Sequence, residues 1–217
     1  MKKLFFFSLA FVTTGLVIKA QHTRIGFAAG ASFSNYHAKV DGESDDGNTL
    51  TGFTAGVLVD VPLSKNFSFQ PAANFVQKGT KDEQTFGGIT EKVKLTVNAI
   101  EVPLNIIYNT TSNSGSFFIG AGPSFAFAVS GKASYDDGTN SISDDINFGN
   151  SDDDDLKGLD MGANFLTGFR FPNGLFIAAN YTAGLSNLFP GGSADGTLKS
   201  HYFGVKLGFL LKGKAAK

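Results

Sequence analysis

The chain has no cysteine, no tryptophan, six prolines and three histidines. Without cysteine there is no disulfide, no thiolate metal site and no cysteine nucleophile. Charge is also sparse. Asp, Glu, Lys and Arg make up 17% of the 217 residues, and the formal net charge is −1. No general basic field exists to hold a polyanion, so nucleic acid is not expected as a partner. Beyond residue 20, no apolar run approaches the roughly 20 residues that a membrane-spanning helix requires.

What is present is glycine (27), phenylalanine (23) and a distinctive start. MKKLFFFSLAFVTTGLVIKA has two early lysines, an apolar run from Leu4 to Ile18 and a small residue at Ala20. That order predicts a secretory signal peptide over residues 1–20. Residues 21–217 then form one domain of barrel size.

Apolar residues alternate with small or polar ones over eight stretches, which is the period of a β-strand with two unlike faces. The stretches are about Thr23 to Tyr36, Thr51 to Pro62, Phe67 to Thr80, Lys92 to Tyr108, Ser116 to Ser130, Gly158 to Phe171, Leu175 to Leu188 and Leu198 to Leu211. In the fourth, the apolar phase runs Val93, Leu95, Val97, Ala99 and then Ile100, Val102, Leu104, Ile106. That shift predicts a β-bulge near Ala99. Eight strands without a helix pattern would leave open sheet edges unless the sheet closed.

The connections alternate. Leu63 to Asn66, Asn109 to Gly115 and Pro172 to Gly174 are short. His37 to Leu50, Lys81 to Glu91, Gly131 to Lys157 and Phe189 to Gly196 are longer or more acidic, and they hold 16 of the 19 Asp and Glu residues. Lys65, Lys212, Lys214 and Lys217 fall at the opposite end. Short turns at one end and long loops at the other are the pattern of outer-membrane barrels.

A soluble lipocalin-type barrel also alternates, with its apolar face inward. Here the other face reads Ser116, Phe118, Gly120, Gly122, Ser124 in the fifth strand and Phe176, Ala178, Asn180, Thr182, Gly184 in the seventh. A water-facing surface would carry many Lys and Glu; small residues with a few charges suit a narrow interior. The expected fold is therefore all-β, an eight-stranded antiparallel up-and-down transmembrane β-barrel with its phenylalanines toward lipid. Tyr36 and Tyr108 are candidate girdle aromatics. The expected inward set is Arg24, Asp60, Gln70, Asn74, Lys78, Lys94, Glu101, Asn105, Asp160, Asn164, Arg170, Asn180 and Lys206. Both signs are present, so mutual pairing inside a filled lumen is favoured over a polar pathway.

NFVQKGT (Asn74 to Thr80), AIEVPLNIIYN (Ala99 to Asn109) and FFIGAGPSFAF (Phe117 to Phe127) resemble the PorT-type outer-membrane β-barrel family. The match rests on a Lys-Gly pair closing the third strand, an E-x-P-L segment in the fourth and G-x-G-P in the fifth. The resemblance implies the barrel and an outer-membrane location in a Gram-negative envelope. One member of that family is associated with a secretion and gliding machinery, a role not transferred to this chain. The ending LLKGKAAK after Phe209 departs from barrels that close on an aromatic.

Other chemistry is weakly signalled. DGESDDGNT (Asp41 to Thr49) and Ser151 to Asp155 offer carboxylates for a divalent cation. The first is no EF-hand, because its glycine, Gly47, falls one position late and no Glu follows at position twelve. His22, His37 and His201 have no Ser and acid at a spacing that demands a triad, although Ser34, Asp41 and Ser200 lie near in sequence. GFAAG and GAG lie within strands and lack the helix of a phosphate loop. No catalytic, cofactor-binding or metal residue is assigned, and no cofactor or enzyme activity is expected. The expected partners are outer-membrane lipid and lipopolysaccharide, with envelope or secretion proteins as further candidates. The expected role is structural or binding; a secretion subunit, a narrow channel and a soluble periplasmic lipocalin-like binder are the alternatives.

Overall fold

The computed structural model describes residues 23–211 apart from 41, 87–88, 111, 113 and 191–195. The expected signal peptide, His22, Asp41, Asp195 and the lysines after Leu211 lie outside the described residues. Ten strands follow in order: β1 (Arg24–Val40), β2 (Glu43–Asp46), β3 (Asn48–Pro62), β4 (Phe67–Phe86), β5 (Ile89–Asn109), β6 (Ser116–Asp136), β7 (Ser141–Asp145), β8 (Leu159–Arg170), β9 (Leu175–Gly184) and β10 (Gly196–Leu210). Among the described residues no helix of three or more turns occurs.

Eight strands form the barrel in the order β1, β3, β4, β5, β6, β8, β9, β10, each antiparallel to the next. β10 pairs back onto β1 from Gly26↔Leu210 to Val40↔Gly196, so the ring has no free edge. β2 and β7 are short annexes on the far parts of β1 and β6. The turn end carries residues 63–66, 110–115 and 171–174; the hairpin end carries the rest. The tightest turn, Phe171 to Gly174, closes with Gly174 N–H donating to Phe171 O at 3.0 Å. Gly174 has φ +97°, and a Cβ there would stand 2.5 Å from Leu210 O, so both conformation and space require glycine.

The expected strand ends need correction. The acidic loops are partly strand. β4 and β5 stay paired to Phe86↔Ile89, well past the expected ends at Thr80 and Lys92. The backbone ladder carries the extension, with the Thr85 and Thr90 hydroxyls meeting at 3.0 Å across the strands and opposite charges placed face to face, Glu83 opposite Lys92 and Lys92 opposite Asp136. In sequence these residues read as a solvated loop because nothing on a projecting hairpin needs an apolar face.

The bulge expected near Ala99 is present, and the structure refines which strand carries it. The register does shift at Asn98/Ala99, but the extra residue is Val129 on β6. β5 keeps one facing throughout, with Val97, Ala99, Glu101, Asn105 and Ile107 all buried inside. The shift in hydrophobic phase marks a change of interior, from apolar at the hairpin end to polar in the middle.

Candidate functional site: the barrel interior and its two ends

The alternation sorts side chains cleanly. From Ile25 to Phe33, Phe53 to Val61, Phe67 to Phe75, Ile100 to Tyr108, Phe117 to Val129, Leu159 to Phe169, Leu175 to Leu185 and Phe203 to Phe209, no outward position carries a charge. Phe165 is 53% exposed on that face and its neighbour Asn164 only 4% exposed on the other. Rings pair around the turn end: Phe67 with Tyr108 at 5.3 Å, Phe117 with Phe169 at 4.8 Å and Phe27 with Phe209 at 6.1 Å. Outward amides mark the other border, where Gln77 Nε2 donates to Asn98 Oδ1 at 3.2 Å and Asn98 Nδ2 donates to Ser130 Oγ at 3.0 Å. From Phe67 to Gln77 the apolar band spans about the 9–11 residues of a tilted crossing strand. Tyr108 lies at the band's edge as expected. Tyr36 does not: it is buried inside the barrel.

The expected inward residues are inside, with one exception. Lys94 is exposed on the projecting part of β5, opposite Lys81. Its place in the alternation was right, but the strand has left the barrel there.

The interior is tiered. At the turn end Arg24 donates twice to Asp60 Oδ2, from Nε at 3.1 Å and Nη2 at 2.5 Å. Asp60 is fully buried, and its other oxygen faces Gln70 Nε2 at 3.5 Å. Arg170 lies over the Phe118 ring at 5.6 Å. Apolar Ala28, Leu58, Ile107, Phe118, Phe176 and Leu210 pack in the same tier.

In the middle tier Glu101, 1% exposed, accepts from Ser124 Oγ at 3.0 Å and Thr182 Oγ1 at 3.2 Å. Asn164 Nδ2 donates to Asn105 Oδ1 at 3.0 Å, while Asn164 Oδ1 accepts from Thr182 and Asn180. Lys78 and Lys206 both approach the face of Tyr202, at 5.7 and 5.8 Å.

In the third tier Asp160 collects Lys78 at 3.5 Å, Ser186 at 3.2 Å and the Ser200 hydroxyl. Above it Tyr36, Val97, Leu156, Leu188 and Leu198 form an apolar layer, backed by Ile146, Phe148 and Phe189. Leu156 and Leu188 come from the connections, so loop residues cross the hairpin end of the barrel. Lys157 N–H donating to Leu188 O at 2.9 Å ties the two connections together. Leu156 stood out as a lone leucine in a polar segment, whereas Leu188 reads as the end of an expected strand that stops at Gly184. The serine, threonine and tyrosine partners gave no signal beyond their inward parity.

The acidic run is partly structural. Asp154 Oδ2 accepts from Ser151 N–H at 2.8 Å and Asp155 Oδ2 from Asn147 N–H at 2.8 Å. Among the described residues no three acidic or histidine side chains converge as a metal site would require. His37 Nδ1 meets Asp46 Oδ1 at 2.6 Å across the β1–β2 hairpin, while Ser34 Oγ is engaged with the backbone of Gly79. His201 stacks on Tyr181 on the outer face, and Ser200 is inside, so the two do not meet.

A closed antiparallel cylinder with an uncharged apolar belt and a polar interior is a membrane-spanning β-barrel. Residues 19–190 match the family model described as outer membrane protein beta-barrel domain, and the chain belongs to that family. Its location is accordingly the outer membrane. Among curated proteins no match was found. Similar solved structures include three bacterial barrels. The attachment invasion locus protein Ail of Yersinia pestis, in complex with sucrose octasulfate, has 16% identity and TM-score 0.39 over 86% of this chain and 99% of that one. Neisserial surface protein A has 14% identity and TM-score 0.40, over 84% and 96%. The outer membrane protease OmpT of Escherichia coli has 10% identity and TM-score 0.46, over 92% and 99%. Likeness at this level carries no functional inference.

Proposed function

We propose that the protein is a non-enzymatic structural or binding component of the outer membrane, with a filled lumen and acidic hairpins directed outward. The observation that carries this reading is the tiered interior. Two cavities of about 60 and 20 Å³ lie within it, the larger between the turn-end and middle tiers and the smaller beneath the apolar layer. The two share no lining residue, and the apolar layer with Leu156 and Leu188 lies over the smaller one, which supports a filled lumen rather than a continuous aqueous path. Export by residues 1–20 and insertion with the short turns toward the periplasm complete the reading, in which the acidic hairpins face lipopolysaccharide, its bridging cations or protein partners. Conductance of the purified chain in a planar bilayer tests it: no steps above the lipid baseline are expected, and steady ion-conducting steps would overturn the filled lumen. The PorT-type motifs favour a second reading, a subunit of a secretion apparatus. Co-purification of a stoichiometric envelope protein with the chain would support it.

A further inference from the structure

We propose that the turn end of the barrel holds a site for a small hydroxyl-bearing phosphate, built around Arg170. A cavity of about 510 Å³ opens there, within the range usual for small-molecule sites. Its wall carries three cations, Arg24, Lys65 and Arg170, against one acid, Asp60. Asp60 is already spent: one oxygen takes both Arg24 bonds and the other faces Gln70. Arg170 is therefore left over. It is 8% exposed, its Nε is buried without a hydrogen-bond partner, and it lies over the Phe118 ring, near the charges of Arg24 and Asp60.

A guanidinium with a buried N–H left without an acceptor is costly unless an anion arrives. Planar, forked donors of this kind suit phosphate oxygens. With Arg24 neutralised by Asp60, Arg170 and Lys65 leave two positive charges. A phosphate monoester, close to doubly negative at neutral pH, balances them better than a carboxylate does. On the same wall Asn109 Oδ1 is buried without a donor, which suits a hydroxyl beside the phosphate. Ser64, Ser68, Thr110 and Ser116 add further polar groups.

That chemistry has two sources, a soluble sugar or glycerol phosphate and the head of a lysophosphatidic acid, which keeps both the monoester and a free hydroxyl. The test uses the full chain folded in uncharged detergent, titrated with glycerol 1-phosphate at constant ionic strength and followed by phosphorus NMR. Saturable binding is expected. Arg170→Met should weaken it at least tenfold, while Lys81→Met on the projecting hairpin should leave it unchanged. A heat-shifted band on electrophoresis verifies that each variant is folded. Should Arg170→Met fail that check, amide shifts of the wild-type chain decide: changes at Lys65, Ser116 and Gly174 support the site. Displacement by lysophosphatidic acid in nanodiscs would identify the lipid head as the source, and retention the soluble ester. Absence of saturable binding, binding indifferent to Arg170→Met, or shifts confined to the hairpin end would overturn the proposal.

Discussion

Phe165 and Asn164 are neighbours on one strand, and their surroundings set opposite rules for substitution. Phe165→Arg places a charge in the apolar belt and is expected to cost about 2–4 kcal/mol. Ile142 is 60% exposed on β7, beyond the belt; Ile142→Arg should cost no more than about 0.5 kcal/mol. Equilibrium unfolding in lipid vesicles compares the two, and equal costs would contradict the assigned faces. Inside, Lys78 and Asp160 are both largely enclosed. Asp160→Asn leaves the lysine with little beyond the Tyr202 ring, and a loss of about 3–5 kcal/mol is expected. Adding Lys78→Met should recover part of it; strictly additive losses in the double-mutant cycle would refute the pairing. Which residues point inward was legible because strand parity is a property of the backbone alone. Who pairs with whom was not: Arg24 and Asp60 are 36 positions apart and Lys78 and Asp160 82 apart, and only register brings them together. Tyr36 shows the converse failure, an aromatic near a strand end that reads as girdle but whose parity matches Ser32 and Ser34 inside.

At the scale of elements, the eight crossing strands were visible wherever lipid imposes alternation, and their ends were lost where it stops. β4 and β5 run on as a hairpin in water, held by their backbone ladder and cross-strand contacts such as Thr85 with Thr90 rather than by a buried face. Replacing residues 82–93 with Asn-Gly joins Lys81 to Lys94, which already lie opposite each other, through a turn suited to a two-residue hairpin. The shortened chain should keep its heat-shifted band; loss of that band would show that the projection is needed for closure. The turn between β6 and β7 is organised by Asp137. Backbone N–H groups of Asn140 and Thr139, then the Asn140 side chain, hold its carboxyl below the ordinary aspartate range. Those bonds favour the ionised form, so the turn is ordered above the ordinary range and loosens as pH falls through the lowered value. Amide shifts of Thr139 and Asn140 should titrate below the shifts of a free aspartate turn, and titration at or above the ordinary range would contradict the bonding.

For the whole molecule, three features coincide: an uncharged belt, a polar interior closed by loop leucines, and charge segregated by end. Most of the acids ride the hairpin end, while Arg24, Lys65 and Arg170 gather at the turn end. Composition alone concealed this, because the acids gathered at one end are offset by bases spread along the chain, for a net charge of −1. Loop lengths revealed the polarity, and the closing leucines stayed hidden because a loop's path is set by what it covers. The central claim is that odd-numbered residues of β8 face lipid and even-numbered ones the lumen. The lack of cysteine makes it directly measurable. Single cysteines at Met161, Ala163, Phe165 and Thr167, and at Gly162, Asn164, Leu166 and Gly168, would each carry a spin label in vesicles. Collisions with oxygen, which concentrates in lipid, should be high at the first four positions and low at the second four. A reversed pattern, or no alternation in oxygen access, would contradict the account.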